Sequence, residues 1–301
     1  MTREGERSTD RSEARAIADT CYLLRHAEHE AGQLYVVLDA TVGTSSLFHA
    51  RPKEERLEIR VEGFGKAALH ILMVGSGQEE MLRASVEQYR LARREHRRSQ
   101  VAAWVNTPLG IDHVGMTLRR LLENEKRSGS KDPVRCLDSM SIPHWPHALS
   151  EQQRHMLSRS LPMIACLSLN ADLSWISLPD VDKDSLQMHA RGAMKQHSVS
   201  LVNEAAKVLQ RIGVHDIDLE RAHLFAESIN ANVRRRNILD RTILLAHDML
   251  LDCDFHSSPT IRLLLDETPE HEMALAQKIG ELGELELERI RDEMSGQQGA
   301  R

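Results

Sequence analysis

Leu34-Tyr35-Val36-Val37-Leu38-Asp39 decides how this chain is read. The run is continuously apolar up to the aspartate, and its Tyr and Val residues favour a pleated strand over a helix. A strand apolar on both faces is one that helices cover on both sides, as in the centre of a parallel α/β sheet. The run also places a carboxylate, Asp39, at the carboxyl end of that strand, where open α/β sheets gather ligands.

Working outward, Asp10 and Glu13 read as a helix start of the capping-box kind. Ala14, Ile17, Cys21 and Leu24 then form a helical stripe, with Gly32 as the residue just past the helix end. Downstream, Leu57, Ile59 and Val61 alternate with charged residues and predict a half-exposed strand. Residues 70–74 predict a third strand, ended by Gly75-Ser76-Gly77. A long helix is expected over 78–105 and another over 111–126. Linker-like stretches follow at 127–133 and 141–146, then a helix near 150–159 and a strand within 163–169. From about residue 184 onward the pattern is helical, and Thr268-Pro269, with Glu270 and Glu272, starts the last helix. The expected fold is α/β, a small parallel sheet flanked by helices and followed by an all-helical C-terminal part. Its divisions are an N-terminal helix at 1–32, an α/β domain at 33–183 and a helical domain at 184–301.

The 301 residues include only 3 % aromatics, so aliphatic side chains must fill the core and helix packing is favoured over a β-sandwich. The net charge is −6, and the segment from Asp266 onward holds ten acids against four bases, which accounts for all of it. Six arginines (83, 90, 93, 94, 97 and 98) crowd one segment, and Arg234–Arg236 form a second knot. The charged N-terminus argues against secretion, no apolar run approaches membrane-helix length, and the four scattered cysteines suit a reducing compartment. A cytoplasmic protein is expected.

The segment around Asp39 resembles the opening motif of PIN-like nucleases, roughly V-L-D-x-N-V-x-x-S-x-L. Val37, Leu38, Asp39, Val42, Ser45 and Leu47 fall in register, with Thr41 in place of the asparagine. The resemblance implies a Mg²⁺- or Mn²⁺-dependent nuclease in which several carboxylates share the metal, with Ser45 and Thr41 orienting a ligand or its water. It makes Asp39 the central ligand and Glu80 or Glu79 the second. Glu151 and Asp172 follow as further acids, with Asn170 close to where one of them is expected. Arg90, Arg94 and Arg97, spaced to share a helix face, would meet the phosphates of RNA or another nucleic acid.

The same residues also resemble the first motif of S-adenosylmethionine-dependent methyltransferases, D-x-x-x-G-x-G, up to Ser45 in the last position. That resemblance implies cofactor contacts from Asp39, Gly43 and Glu62. Tyr22-Leu23-Leu24-Arg25-His26 resembles the start of histidine phosphatases, but inside a helical pattern. His223, His247 and Asp248 loosely resemble an HD-type metal phosphohydrolase, while Cys253-x-x-His256 and His144-x-x-His147 are unmatched halves of metal sites. From a different class, a non-enzymatic interaction protein would use the arginine stripe, the acidic tail and the C-terminal helices to reach a protein partner or a second copy.

Overall fold

Gly32 ends the first helix as its position suggested. Its φ is +103°, its N–H reaches Glu28 O at 2.9 Å, and a side chain there would strike the backbone of Pro108. The computed structural model describes residues 3–43, 46–61, 68–130, 132–178, 194–233, 237–268 and 274–298. The chain divides into two compact units, Met1–Met194 and Lys195–Arg301.

The first unit runs α1 (Arg3–Ala31), β1 (Gln33–Asp39), a short α2 (Ser46–His49), β2 (Arg56–Ile59), β3 (Leu69–Val74) and α3 (Glu79–Arg94). It continues with β4 (Val101–Thr107), α4 (Ile111–Arg127), α5 (Trp145–Ala148), α6 (Glu151–Ser160), β5 (Met163–Leu167) and β6 (Leu173–Ile176). The strands form one six-stranded sheet in the order β2-β3-β1-β4-β5-β6.

Every neighbouring pair in that sheet is antiparallel, which overturns the expected parallel sheet. The reason is that burial on both faces reports what covers a strand and says nothing of its neighbours' direction. β1 is buried from Leu34 to Asp39. On one face, Trp104 donates its ring N–H to Ser85 of α3, and Asn106 points at Leu24 O of α1. On the other face Gly115 of α4 presses on Leu57 and Ile71. β3 and β4 both run antiparallel to β1 and therefore parallel to each other. The connection through α3 passes over the strand between them, making a split β-α-β unit.

Two strands escaped the sequence pattern. The first five residues of β4, Val101 to Val105, lie in the stretch expected to be helical, because α3 stops without a glycine. His96 takes the left-handed conformation (φ 50°), His96 N–H bonds Arg93 O and Arg97 N–H bonds Ala92 O, both at 3.0 Å. That is a Schellman ending with histidine in the glycine position. β6 is a four-residue edge strand that leaves Trp175 37 % exposed. At the opposite edge, β2 carries Arg56 and Glu58, charges that discourage further pairing.

The second unit is helical, as expected for the C-terminal part: α7 (Gln196–Arg211), α8 (Leu219–Asn232), α9 (Ile238–Leu251), α10 (Pro259–Glu267), α11 (Ala274–Gly280) and α12 (Glu284–Gln298). Side chains of Asp218, Asn237 and Ser258 cap α8, α9 and α10. Leu201, Leu245, Phe255, Ile261 and Ile290 contribute to its core. The expected helix start at Pro269, Glu270 and Glu272 lies outside the described residues. No described helix is long and apolar enough to cross a membrane.

Candidate functional site

Strand direction decides which charged residues reach Asp39. In register, Asp39 faces Leu69 at the start of β3, and Leu34 faces Val74 at its end. α3 follows β3, so it begins at the end of the sheet away from Asp39. Five residues of strand put about 17 Å between those two ends. Glu79 and Glu80 open α3 and are both exposed, and Glu79 pairs with Arg25 at 2.9 Å. In the expected parallel sheet this helix would have begun beside Asp39. Instead α3 climbs back, and the chain beyond its far end delivers Arg98.

Asp39 is fully buried, and its Oδ1 accepts from Thr41 N at 2.9 Å and Thr41 Oγ1 at 2.6 Å. Its Oδ2 accepts from Arg98 Nη2 at 2.5 Å. A second carboxylate meets the same guanidinium: Asp138, which follows the 3-10 turn Pro133–Leu137 and is 2 % exposed. Asp138 Oδ1 accepts from the N–H groups of Met140 and Ser141 at 2.9 and 2.8 Å, an Asx-type turn. Its Oδ2 lies 3.3 Å from Arg98 Nε, an ionic contact too poorly aligned for a hydrogen bond, so that buried Nε–H has no acceptor. Burial pushes the Asp138 carboxyl above its ordinary range, Arg98 and the Ser141 contact pull it back, and the charge of Asp39 pushes it up again. Each carboxylate thus has one oxygen fixed by local donors and the other turned toward Arg98.

The remaining predicted acids do not join this pair. Glu151 sits in the first turn of α6, behind the capping box that Ser150 and Gln153 form. Asp172 is exposed in the β5–β6 turn, at the same end of the sheet as Asp39 but two strands away, and its charge acts on Arg90. Asn170 is exposed in the same turn. Glu62 and Ser45, like Arg234–Arg236, lie outside the described residues. Gly43 has φ +152°, and a side chain there would meet the amide of Gln100 at 2.9 Å. Among the described residues, no group of three or more His, Cys, Asp or Glu is placed to hold a metal.

The arginine stripe is largely engaged by the protein itself. Arg90 is buried, held by Glu13 at 2.9 Å and by Ala171 O at 2.6 Å, and Arg94 reaches the same Glu13. Arg93, missed as a site residue, is buried against Ser139 O and Leu167 O at 2.5 and 3.0 Å. Arg97 pairs with Glu95 on the surface. Of the pairs singled out by sequence, Arg25 bonds Glu28 and Gly75 O in its helical setting, and His247 stacks on Phe255 while Asp248 bonds a different histidine. The missed partner of Asp39 left a local signal: Asp138-Ser139-Met140-Ser141 has the Asp and Ser that an Asx turn uses.

No protein-family model, curated protein or solved structure matches this chain.

Proposed function

We propose that Asp39 and Asp138 hold a Mg²⁺ or Mn²⁺ ion and that the protein hydrolyses a phosphodiester, with nucleic acid as the substrate class. One observation carries this reading: two buried carboxylates, each with one oxygen locked by local donors, turn their other oxygens on one cation that fits them imperfectly. Locked outer oxygens orient the inner ones in advance. One or two carboxylates are also the protein's usual share of a Mg²⁺ shell that substrate phosphate completes. Bound there, the metal would polarise the phosphate and lower the pKa of water. Thr41 holds the Asp39 rotamer. Arg98, 29 % exposed, is placed to leave the carboxylates and fork a phosphate oxygen. Arg97 is about half exposed, and its surface partner Glu95 is weak enough for phosphate to replace; Arg94 is as exposed but shares Glu13 with buried Arg90. A cytoplasmic setting fits the four free cysteines, three of them buried.

Thermal melting tests the reading directly. Millimolar Mn²⁺ should raise the melting temperature of the full chain, since an ion at 100 times its Kd adds about 2.7 kcal/mol. Asp39→Asn and Asp138→Asn should each remove that rise and any cleavage of single-stranded RNA or DNA. A flat response of the wild type to Mn²⁺ and Mg²⁺ sinks the proposal.

A second reading, the interaction protein, is favoured by the surface of α1. Tyr22 is 67 % and Leu23 46 % exposed there. Tyr22 also borders a groove of about 370 Å³ lined by Ile17, Cys21, Arg25, Glu79 and Arg83. On that reading the Arg98 clamp is a staple of the fold, and melting responds to neither ion.

A further inference from the structure

The helical unit holds a chain of three side chains that the nuclease reading does not use. Asp248 lies on α9, which ends at Asp252 in the left-handed conformation (φ 56°), and the chain turns back into the 3-10 segment Phe255–Ser257. This return brings His256 over Asp248. The backbone N–H of His256 donates to Asp248 Oδ1 at 3.0 Å, and its Nδ1 lies 2.7 Å from Oδ2. On the far side of the ring, Nε2 lies 3.0 Å from Ser228 Oγ, supplied by α8.

Donor and acceptor roles follow from chemistry. An ionised Asp248 only accepts, so Nδ1 carries the proton and Nε2 presents its lone pair to Ser228. Asn232, one turn along α8 from Ser228, donates its amide to Oγ at 3.3 Å. With that amide on its lone pair, the hydroxyl can direct its own proton to Nε2. Asp248 is fully buried and His256 2 % exposed, so the ring is fixed, whereas Ser228 is only half-buried and reaches solvent. Burial pushes the Asp248 carboxyl up to about 6, against the pull of His256.

We propose that Ser228, His256 and Asp248 form a nucleophilic relay that accepts the acyl group of a small carboxylic ester. Ser228 Oγ attacks the carbonyl carbon while its proton passes to His256 Nε2, and Asp248 steadies the imidazolium. The carbon–alkoxy bond then breaks, and the departing alkoxide takes that proton. Water repeats the sequence: its proton goes to His256, its oxygen bonds the acyl carbon, and Ser228 leaves and recovers the proton. The amide of Asn232 stands beside the nucleophile, where a carbonyl oxygen gathers charge. A single such donor suits an ester, whose alkoxide leaves more readily than an amine.

The test uses the intact chain and a fluorophosphonate probe, in which Ser228 Oγ would displace fluoride from phosphorus as the proton moves to His256. Mass spectrometry should place one adduct on Ser228. Ser228→Ala should abolish it with an unchanged melting temperature, and His256→Gln should slow labelling at least 100-fold. Hydrolysis of 4-nitrophenyl acetate should show the same order. A folded wild type that gives no adduct on Ser228, or a Ser228→Ala protein that labels and hydrolyses like wild type, overturns the relay. Neither outcome touches the Mn²⁺ response of Asp39 and Asp138, so the two proposals fail separately.

Discussion

Arg98 Nη2 and Asp39 Oδ2 meet at 2.5 Å across 59 residues of chain, and the carboxylate is completely buried while the arginine side chain is 29 % exposed. The same guanidinium contacts Asp138. Removing it leaves two buried carboxylates with no cation between them, a loss of the kind that costs about 3–5 kcal/mol. Arg98→Ala should therefore lower stability in urea unfolding by about 3 kcal/mol in metal-free buffer. Adding Asp39→Asn to that variant should restore part of the loss. Simple addition of the two effects would show that the pair is not coupled.

Asp138 makes stability depend on pH with a definite sign. Its carboxyl is raised in the folded protein, chiefly by burial, so the folded state holds its proton more tightly than the unfolded chain. A raised group contributes fully below the unfolded value of 3.8 and loses that contribution as pH rises through the folded value. Asp138→Asn keeps an acceptor for Met140 and Ser141 without the charge. In metal-free buffer it should be more stable than wild type at pH 7, with the gap closing toward pH 4, as read from denaturation midpoints. A gap that widens on acidification contradicts this account.

His96 occupies a conformation that costs a non-glycine residue about 1–2 kcal/mol. Glycine removes that cost but adds freedom to the unfolded chain. His96→Gly should stabilise the protein by about 0.5–1 kcal/mol in equilibrium unfolding, without altering activity.

Cys21 is partly exposed, while the other three cysteines are buried. Burial first, then Glu79, push its thiol from 9.0 up to about 11. Near pH 8 its thiolate fraction is then about a hundredfold smaller than that of an unperturbed thiol. Native protein should react with iodoacetamide at Cys21 first but slowly, with a rate that keeps climbing tenfold per pH unit beyond pH 9. A plateau near pH 9 would show an unshifted thiol.

Much of the element list was legible in the sequence, because most helices and strands carry their own periodicity. The strand at 33–39, its burial, the glycine before it and the helix near 150–159 all follow from local residue types. Direction and partnership did not. Nothing in Leu34 to Leu38 distinguishes a parallel neighbour from an antiparallel one. That single difference sent Glu79 and Glu80 to the far end of the sheet and brought Arg98 to Asp39 in their place. The end of α3 was hidden because histidine took a glycine's role, and Val101 to Val105 was absorbed into the helix before it. The turn at Asp138 left a local signal, but its link to Asp39, like that of Ser228 to His256, was hidden for another reason: the partners are distant in sequence, and no spacing rule connects them.

β1 has consequences for how the molecule is made. It lies third in the sheet, between strands that come 30 and 62 residues after its last residue. At about 5–20 residues per second of synthesis, the nascent chain carries this strand for seconds before either neighbour exists. During that interval Leu34 to Leu38 is uncharged, rich in β-forming residues and open along both edges, the composition from which intermolecular cross-β pairing starts. Yield in the cell should therefore fall when β3 and β4 are slow to close on β1. Substitutions that delay them should send the chain into inclusion bodies even where the finished fold would tolerate them.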